Sequence, residues 1–134
     1  MIIAIDFDGT CVSHDYPRIG KDIGAVPILQ KLVKNGHKLM LWTMRGTRPT
    51  DNNGIETLKE AVEWFNTNNI PLWGINENPE QKESGWSNSH KQYAQLYIDD
   101  AALGCPLMYD PDISDRVFVN WEAVEELLKY NSII

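Results

Sequence analysis

The chain has 134 residues, of which 43% are hydrophobic and 23% are charged, a composition typical of one globular domain. Its formal net charge of −7 argues against a protein that binds nucleic acid through a general basic surface. The apolar runs are only as long as strands, and the first residues lack the basic and apolar segments of a signal peptide. We therefore expect a single cytoplasmic domain over residues 1–134, without a membrane span.

The first predicted element is a buried strand over residues 2–5, because both of its faces are apolar. Asp6 and Asp8 follow it directly, and Gly9 permits a sharp turn out of the sheet. These acids therefore lie at the carboxyl end of a central strand, where open α/β sheets build their active sites. Two acids that merely end a strand at the surface would give the same local pattern.

The middle of the chain alternates between helical and strand patterns. The predicted elements are a helix that begins near 24–27 and ends at 34–36, a strand over 38–43, a loop over 45–54, an amphipathic helix that begins at 55 and ends at 66–69, and a strand over 72–75. A strand, a helix and a second strand at this spacing form a βαβ unit, which implies parallel strands and a right-handed crossover.

The last part of the chain continues this alternation with longer loops. The predicted elements are a polar loop over 76–89, a short helical turn around 90–95, a strand over 96–100, a loop over 101–115, a strand over 116–119 and a helix capped by Asn120. We expect the loop over 76–89 to be ordered, alone or by a ligand, because long loops in compact domains are usually functional or disordered. Together the elements predict an α/β fold with a mainly parallel sheet.

The cysteines and histidines do not form a zinc-binding pattern. Cys11 and Cys105 are the two cysteines, and in a cytoplasmic chain we expect them to be free thiols. Each follows an acidic strand end, so either a small buried side chain or a redox-sensitive thiol fits its position. His14, His37 and His90 are scattered along the chain.

Polar side chains end three of the predicted strands. Asp6 and Asp8 end the first, Thr43 ends the second, and Asp99 and Asp100 end the fourth. Because the carboxyl ends of parallel strands meet along one edge of a sheet, these residues are expected to converge. Crowded carboxylates repel one another, and Mg²⁺ is the usual remedy and the usual partner of a phosphate ester.

Four segments carry a family resemblance when they are taken in order. They are Asp-Phe-Asp-Gly-Thr at 6–10, an apolar strand ending in Thr43, a lysine before the fourth strand, and Ile-Asp-Asp at 98–100. This set resembles the four motifs of the haloacid dehalogenase superfamily of phosphohydrolases, over residues 1–106. The resemblance implies a three-layer Rossmann-like core, Mg²⁺ as cofactor and a phosphorylated substrate as partner.

The resemblance also implies a role for each motif residue. Asp6 would attack phosphorus and form an aspartyl-phosphate, while Asp8 would act as general acid and then as general base. Thr43 would hydrogen-bond the phosphoryl group. The metal ligands would be Asp6, the backbone carbonyl of Asp8 and Asp99, with Asp100 as a further ligand or water holder. Because dehalogenases of the superfamily lack the second acid, Asp8 favours phosphoryl chemistry.

The motif lysine and the residues after Thr43 are assigned less directly. Lys91 is the first choice for the lysine that neutralises charge between nucleophile and phosphate, and Lys82 is the alternative; a solvated surface charge fits either. Met44 and Arg45 are assigned to substrate binding, since Arg45 could bind a phosphate or carboxylate; a solvated loop arginine fits equally well. Weaker candidates for substrate contact are Arg18, Arg48, His14, Trp86 and His90.

The intervals between the motifs leave no room for an inserted cap domain, so the chain resembles a capless member of the superfamily. Such relatives often accept large phosphosubstrates or close their sites by forming homo-oligomers, and both remain open for this chain. The leading function is a phosphomonoesterase. A phosphotransferase of the same fold and a non-catalytic Mg²⁺- and phosphate-binding regulatory module are the alternatives.

Overall fold

A parallel four-stranded sheet forms the centre of the computed structural model, which describes residues 1–48 and 54–134. Its strands are β1 (Ile2–Ile5), β2 (Lys38–Leu41), β3 (Gly74–Ile75) and β4 (Leu96–Ile98). Their order across the sheet is β3-β2-β1-β4, so β1 is an inner strand and all four of its residues are buried. The β-branched, wholly apolar sequence of β1 explains this position, since a strand covered on both faces has no polar side.

The register of the strands brings their carboxyl ends to one edge. Ile5 lies opposite Leu41 of β2 and Ile98 of β4. The ladder continues past the strands, because the Asp6 amide donates to the Ile98 carbonyl at 3.0 Å and the Trp42 amide donates to the Ile5 carbonyl at 2.8 Å. The residues that follow β1, β2 and β4 therefore share one edge of the sheet.

The helices of the described residues are α1 (Ala25–Lys34), α2 (Thr57–Thr67), α3 (Pro79–Ser84) and α4 (Trp121–Tyr130). The apolar faces of α1, α2 and α4 pack into the core, whereas the buried residue of α3 is Gln81. In α1 the buried residues include Ala25, Leu29 and Leu32, and in α2 they include Ala61 and Phe65, at the spacing that places side chains on one helical face. The predicted α/β class with a Rossmann-like core is confirmed.

The segment predicted as a loop over 76–89 contains the short helix α3, and that prediction was wrong in this part. The Asn78 side chain caps α3 by accepting a hydrogen bond from the Gln81 amide at 3.0 Å, and Pro79 occupies its first turn. The helical turn predicted around 90–95 was also wrong, because these described residues are not helical. The backbone of residues 90–95 is held instead by hydrogen bonds to side chains of α3 and its cap. For example, the Tyr93 amide donates to the Gln81 side chain at 2.8 Å.

The fifth predicted strand forms a separate ribbon. β5 (Leu107–Met108), within the predicted loop over 101–115, pairs antiparallel with β6 (Phe118–Val119), so the fifth strand does not join the main sheet. The Val119 amide donates to the Gly9 carbonyl at 3.0 Å, and the Trp121 indole donates to the Thr10 carbonyl at 2.7 Å. The end of the chain thus supports the loop that follows β1.

In residues 1–48 and 54–134, none of the helices has the length and apolar character needed to cross a membrane. The predicted loop over 45–54 lies partly outside these described residues.

Candidate functional site

A cleft of about 620 Å³ opens at the carboxyl edge of the sheet. Of the predicted site residues, Asp6, Thr43, Met44 and Asp99 line it. The rest of its wall is formed by Trp42, Asn76, Ser89, His90 and Gln92. The convergence predicted from the strand ends is therefore present, and loop residues from the second half of the chain complete the cleft.

Three carboxylates meet at the base of this cleft. Oxygen atoms of Asp6, Asp99 and Asp100 lie within 4.8 Å of one another. The Thr10 hydroxyl joins two of the strand ends, because it donates to Asp6 Oδ2 at 2.7 Å and accepts from the Asp100 amide at 3.0 Å. His14 Nε2 lies 2.8 Å from Asp100 Oδ2 and orients that carboxylate. These are hard oxygen donors of the kind that Mg²⁺ and Ca²⁺ prefer.

The charge of Asp6 is not matched by a basic group of the protein. Burial raises the pKa of Asp6 from an ordinary 3.8 to about 7, against the hydrogen bonds from Thr10 and the Phe7 amide, which lower it. The negative charges of Asp99 and Asp100 raise this pKa further. Asp6 in the metal-free protein is therefore close to half protonated at neutral pH, and a bound cation would favour its ionised form.

Arg45 is buried and holds Asp8. Its Nε and Nη2 atoms donate to the two carboxylate oxygens of Asp8 at 2.8 and 2.7 Å, a bidentate pair. The other N–H groups donate to the carbonyl oxygens of Pro17, Arg18 and Thr57 at 3.2, 2.7 and 3.1 Å. All five N–H groups of the guanidinium therefore have acceptors within the protein.

This geometry corrects both interpretations of Arg45 made from the sequence. Its side chain is 1% exposed, so it is not a solvated loop arginine, and its donors are engaged, so they do not face a substrate. The guanidinium carbon lies 4.9 Å from the centre of the Phe7 ring and 5.3 Å from that of Tyr16. Arg45 is a positioning residue that fixes the Asp8 carboxylate and joins it to the loop at 17–18 and to the first residue of α2.

Thr43 presents a free hydroxyl proton to the cleft. Its backbone amide donates to Asn76 Oδ1 at 2.8 Å, and its Oγ1 accepts from the Arg45 amide at 3.1 Å. Because the hydroxyl oxygen is already an acceptor, its proton can be donated to a ligand in the cleft. Met44, the next residue, is fully exposed at the mouth of the cleft.

The structure does not bring either candidate lysine into the cleft. Lys91 lines a neighbouring groove, with its Nζ 6.0 Å from the centre of the Tyr97 ring, and Lys82 is exposed on α3, where it pairs with Glu77 at 3.2 Å. His90 and Gln92 line the cleft, whereas Lys91 between them lines the groove. The assignment of Lys91 is corrected, and His90 is the basic residue at the cleft.

Sequence reasoning missed the positioning roles of Thr10 and Asn76. Thr10 is the last residue of the motif at 6–10. No local sequence pattern predicts that its side chain is buried behind Asp6. Asn76 has a positive φ of 52°, a conformation that asparagine tolerates better than most residues. An asparagine directly after a strand was therefore the sequence feature that could have pointed to this position. Trp42, directly after β2, also lines the cleft.

The remaining candidates lie at varied distances from the cleft. Cys11 is fully buried and its thiol donates to the Asp6 carbonyl, and burial raises the pKa of this thiol. Cys11 is therefore a structural side chain, and both cysteines are free. Arg18 is exposed and pairs with Asp15, and Trp86 lines the neighbouring groove. Arg48 is exposed.

The fold and site define an α/β protein with an acidic cleft at the carboxyl edge of its parallel sheet. No family model matches the chain, and no curated protein matches it. A solved structure of a conserved protein from Bacteroides thetaiotaomicron is similar, with 34% sequence identity and a TM-score of 0.72 over 98% of this chain and 91% of that chain. This chain belongs to the same family as that conserved protein.

Replacing Arg45 by methionine is expected to lower the free energy of unfolding by about 3–5 kcal/mol, because Asp8 would lose its partner while it stays largely buried. Urea unfolding followed by circular dichroism measures the change. The matched control is Arg18→Met, which removes an exposed ion pair and should leave stability nearly unchanged. Equal losses in the two variants would contradict the positioning role.

The contribution of Asp6 to the stability of the metal-free protein is expected to fall as pH rises from about 4 to 7. The unfolded chain releases the Asp6 proton near pH 4, whereas the folded chain keeps it until about pH 7, so burial opposes folding increasingly across this window. Asp6→Asn should therefore raise stability by roughly 2–4 kcal/mol at pH 8 and much less at pH 4.5, since one pKa unit corresponds to about 1.4 kcal/mol.

Thermal unfolding in the presence of a chelator measures this difference. Asp112→Asn is the control, because Asp112 is exposed and its replacement should not change the pH dependence. A gain in Asp6→Asn that is the same at both pH values would count against the raised pKa.

Proposed function

We propose that this protein is a Mg²⁺-dependent phosphomonoesterase of the haloacid dehalogenase type, which uses Asp6 as its nucleophile. The observation that carries this proposal is the meeting of Asp6, Asp99 and Asp100 within 4.8 Å, although they come from two separate strand ends. Asp8 lies two residues after the nucleophile and is held by a buried arginine. A surface pair of acids at the end of a strand would need no such support.

The donor set suits a magnesium ion. The carboxylates of Asp6, Asp99 and Asp100, with the backbone carbonyl of Asp8, would supply a few oxygen ligands, and all three carboxylates are partly accessible to water. Mg²⁺ typically keeps several waters and takes few carboxylates beside a phosphate. When bound, it would offset the charge of the carboxylates and of the phosphate that approaches them.

The chemistry at Asp6 would take place in two steps. The Asp6 carboxylate attacks phosphorus, the bond to the leaving oxygen breaks, and Asp8 supplies a proton to that oxygen. Asp8 then accepts a proton from a water that attacks the aspartyl-phosphate, which releases phosphate and restores Asp6. The bidentate contact with Arg45 fixes the orientation of the ionised Asp8 carboxylate, which is the form that accepts the proton from water in the second step.

Two other side chains would bind the phosphoryl group. The Thr43 hydroxyl has its proton free for a phosphoryl oxygen, since its own oxygen accepts the Arg45 amide. His90 lines the cleft, whereas the predicted Lys91 does not, and an N–H group of its ring would donate to a phosphoryl oxygen. We therefore assign to His90 the contact with the phosphoryl group that was predicted for Lys91.

The direct test is release of inorganic phosphate from a generic aryl phosphate. Release should require Mg²⁺, stop on chelation and resume when Mg²⁺ is restored. Asp6→Asn should reduce the rate by about a thousandfold or more, and Asp8→Asn by about 10²–10⁴-fold. Asp112→Asn, at an exposed position, is the matched control and should retain the wild-type rate.

Equal phosphate release by the wild type and by Asp6→Asn would refute the nucleophile assignment. Product formation that depends on an added sugar or nucleoside hydroxyl would identify a phosphotransferase with the same residues. Tight binding of Mg²⁺ and beryllofluoride, without turnover of any compound in a broad phosphoester panel, would identify a regulatory module instead.

The roles of His90 and of the two candidate lysines can be distinguished by kinetics with a small alkyl phosphate as substrate. His90→Ala should lower kcat/KM by roughly 10- to 100-fold, because it removes a donor from the phosphoryl group. Lys82→Ala should leave kcat/KM within about twofold, since Lys82 is exposed and pairs with Glu77. A larger loss in Lys91→Ala than in His90→Ala would restore the assignment made from the sequence.

A further inference from the structure

A second groove, of about 520 Å³, lies beside the cleft and exposes three aromatic side chains. Trp86 is 56% exposed, Tyr93 is 48% exposed and Tyr97 is 37% exposed. The rings of Trp86 and Tyr93 pack edge to face, with their centres 5.6 Å apart. We call this surface the aromatic groove; Trp86, Lys91, Tyr93 and Tyr97 define it. Clustered exposed aromatics mark binding surfaces far more often than isolated ones do.

The aromatic groove is held in place by buried amides. Asn78 is fully buried and Gln81 is 4% exposed, whereas the aromatic residues beside them are left in solvent. Asn78 Nδ2 donates to the Tyr93 carbonyl at 2.8 Å, and Gln81 Nε2 donates to the Lys91 carbonyl at 3.1 Å. Burial of an amide is tolerable only with such partners, so the chain uses polar side chains to fix a segment that presents rings outward.

The aromatic groove and the cleft share a wall. Ser89 lines both, and the residues after it alternate, with His90 facing the cleft and Lys91 facing the groove. A ligand with its phosphate beside Asp6 could therefore cross over Ser89 and place its far end in the groove. One ligand molecule would then occupy both the phosphate site and the aromatic groove.

The chemistry of the groove fits a flat ring with polar edges. Trp86, Tyr93 and Tyr97 offer ring faces and edges, and Ser87 adds a hydroxyl along the groove. Lys91 is the one charged side chain among the described residues that line it, in a chain of net charge −7. A purely aliphatic group would leave the Lys91 ammonium group and the Ser87 hydroxyl unused, whereas a nucleobase can stack on the rings and hydrogen-bond at its edge.

We propose that the aromatic groove binds the base of a nucleoside monophosphate whose phosphate occupies the cleft. This inference rests on the proposed function, since it names the substrate class of the same site. Trp86 supplies the main stacking surface, and Lys91 contacts the polar edge of the base. Specificity for the leaving group then comes from the segment pinned by Asn78 and Gln81.

Binding to the Asp6→Asn variant tests this inference without turnover. Calorimetry with saturating Mg²⁺ compares ribose 5-phosphate with the four common ribonucleoside 5′-monophosphates. At least one nucleotide should bind about tenfold or more tightly than ribose 5-phosphate, which is the range expected for stacking of one base. Adding Trp86→Ala should bring the ratio of nucleotide affinity to ribose 5-phosphate affinity close to one. Trp86→Phe should keep most of this affinity ratio.

Tyr130→Ala is the matched control, because Tyr130 is 86% exposed on α4 and does not line the aromatic groove. The ratio should be unchanged in this variant. The proposal would be overturned if ribose 5-phosphate bound as tightly as every nucleotide. It would also be overturned if the affinity ratio were unchanged in Trp86→Ala. Loss of the ratio in Tyr130→Ala would overturn it as well.

The same measurements separate this inference from the proposed function. Phosphate release from aryl and sugar phosphates, without a nucleotide preference in binding, would keep the phosphatase and reject the base site. A nucleotide preference in binding that disappears with Trp86→Ala, in a wild type that hydrolyses no phosphoester, would keep the base site and reject the phosphatase.

Discussion

Compensation of negative charge is the constraint on which the site depends. Four carboxylates lie around the carboxyl ends of β1 and β4, and they differ in the groups that contact them. Asp8 has a buried arginine as its partner, and Asp100 has His14 and the Thr10 hydroxyl beside it. Asp6, the most central of them, is left to a proton or to an external cation. This arrangement supports the proposed cation site, because among the described residues an arginine pairs with only one of the four carboxylates.

The sequence predicted the sheet and its acidic edge well, because both depend on local patterns. The apolar run before Asp6 could only be a buried strand, and the parallel register then placed Asp99 and Thr43 nearby. The βαβ spacing set the direction of the first two strands. These features need no knowledge of side-chain contacts, since strand ends converge whatever the loops between them do.

The parts that sequence reasoning got wrong depend on contacts between distant residues. The direction of Lys91 and His90 is set by the bonds from Asn78 and Gln81 to the backbone around them. Nothing in the sequence near Arg45 showed that carbonyls from two other segments would surround its side chain. Short elements such as α3 and β5 were missed because a few residues carry too little periodicity. Family membership with a conserved protein adds the fold, and function has to be argued from the site itself.

The buried bond from the Trp121 indole to the Thr10 carbonyl bears on how the protein folds. It joins the loop after β1 to a residue 111 positions further along the chain, and the contact of Thr10 with Asp100 spans 90 positions. Contacts of such large sequence separation form late, because the entropy cost of closing the intervening chain has to be met before they are made. The loop that carries Asp8 and Thr10 is therefore expected to gain its final geometry only when segments distant in sequence have packed against it.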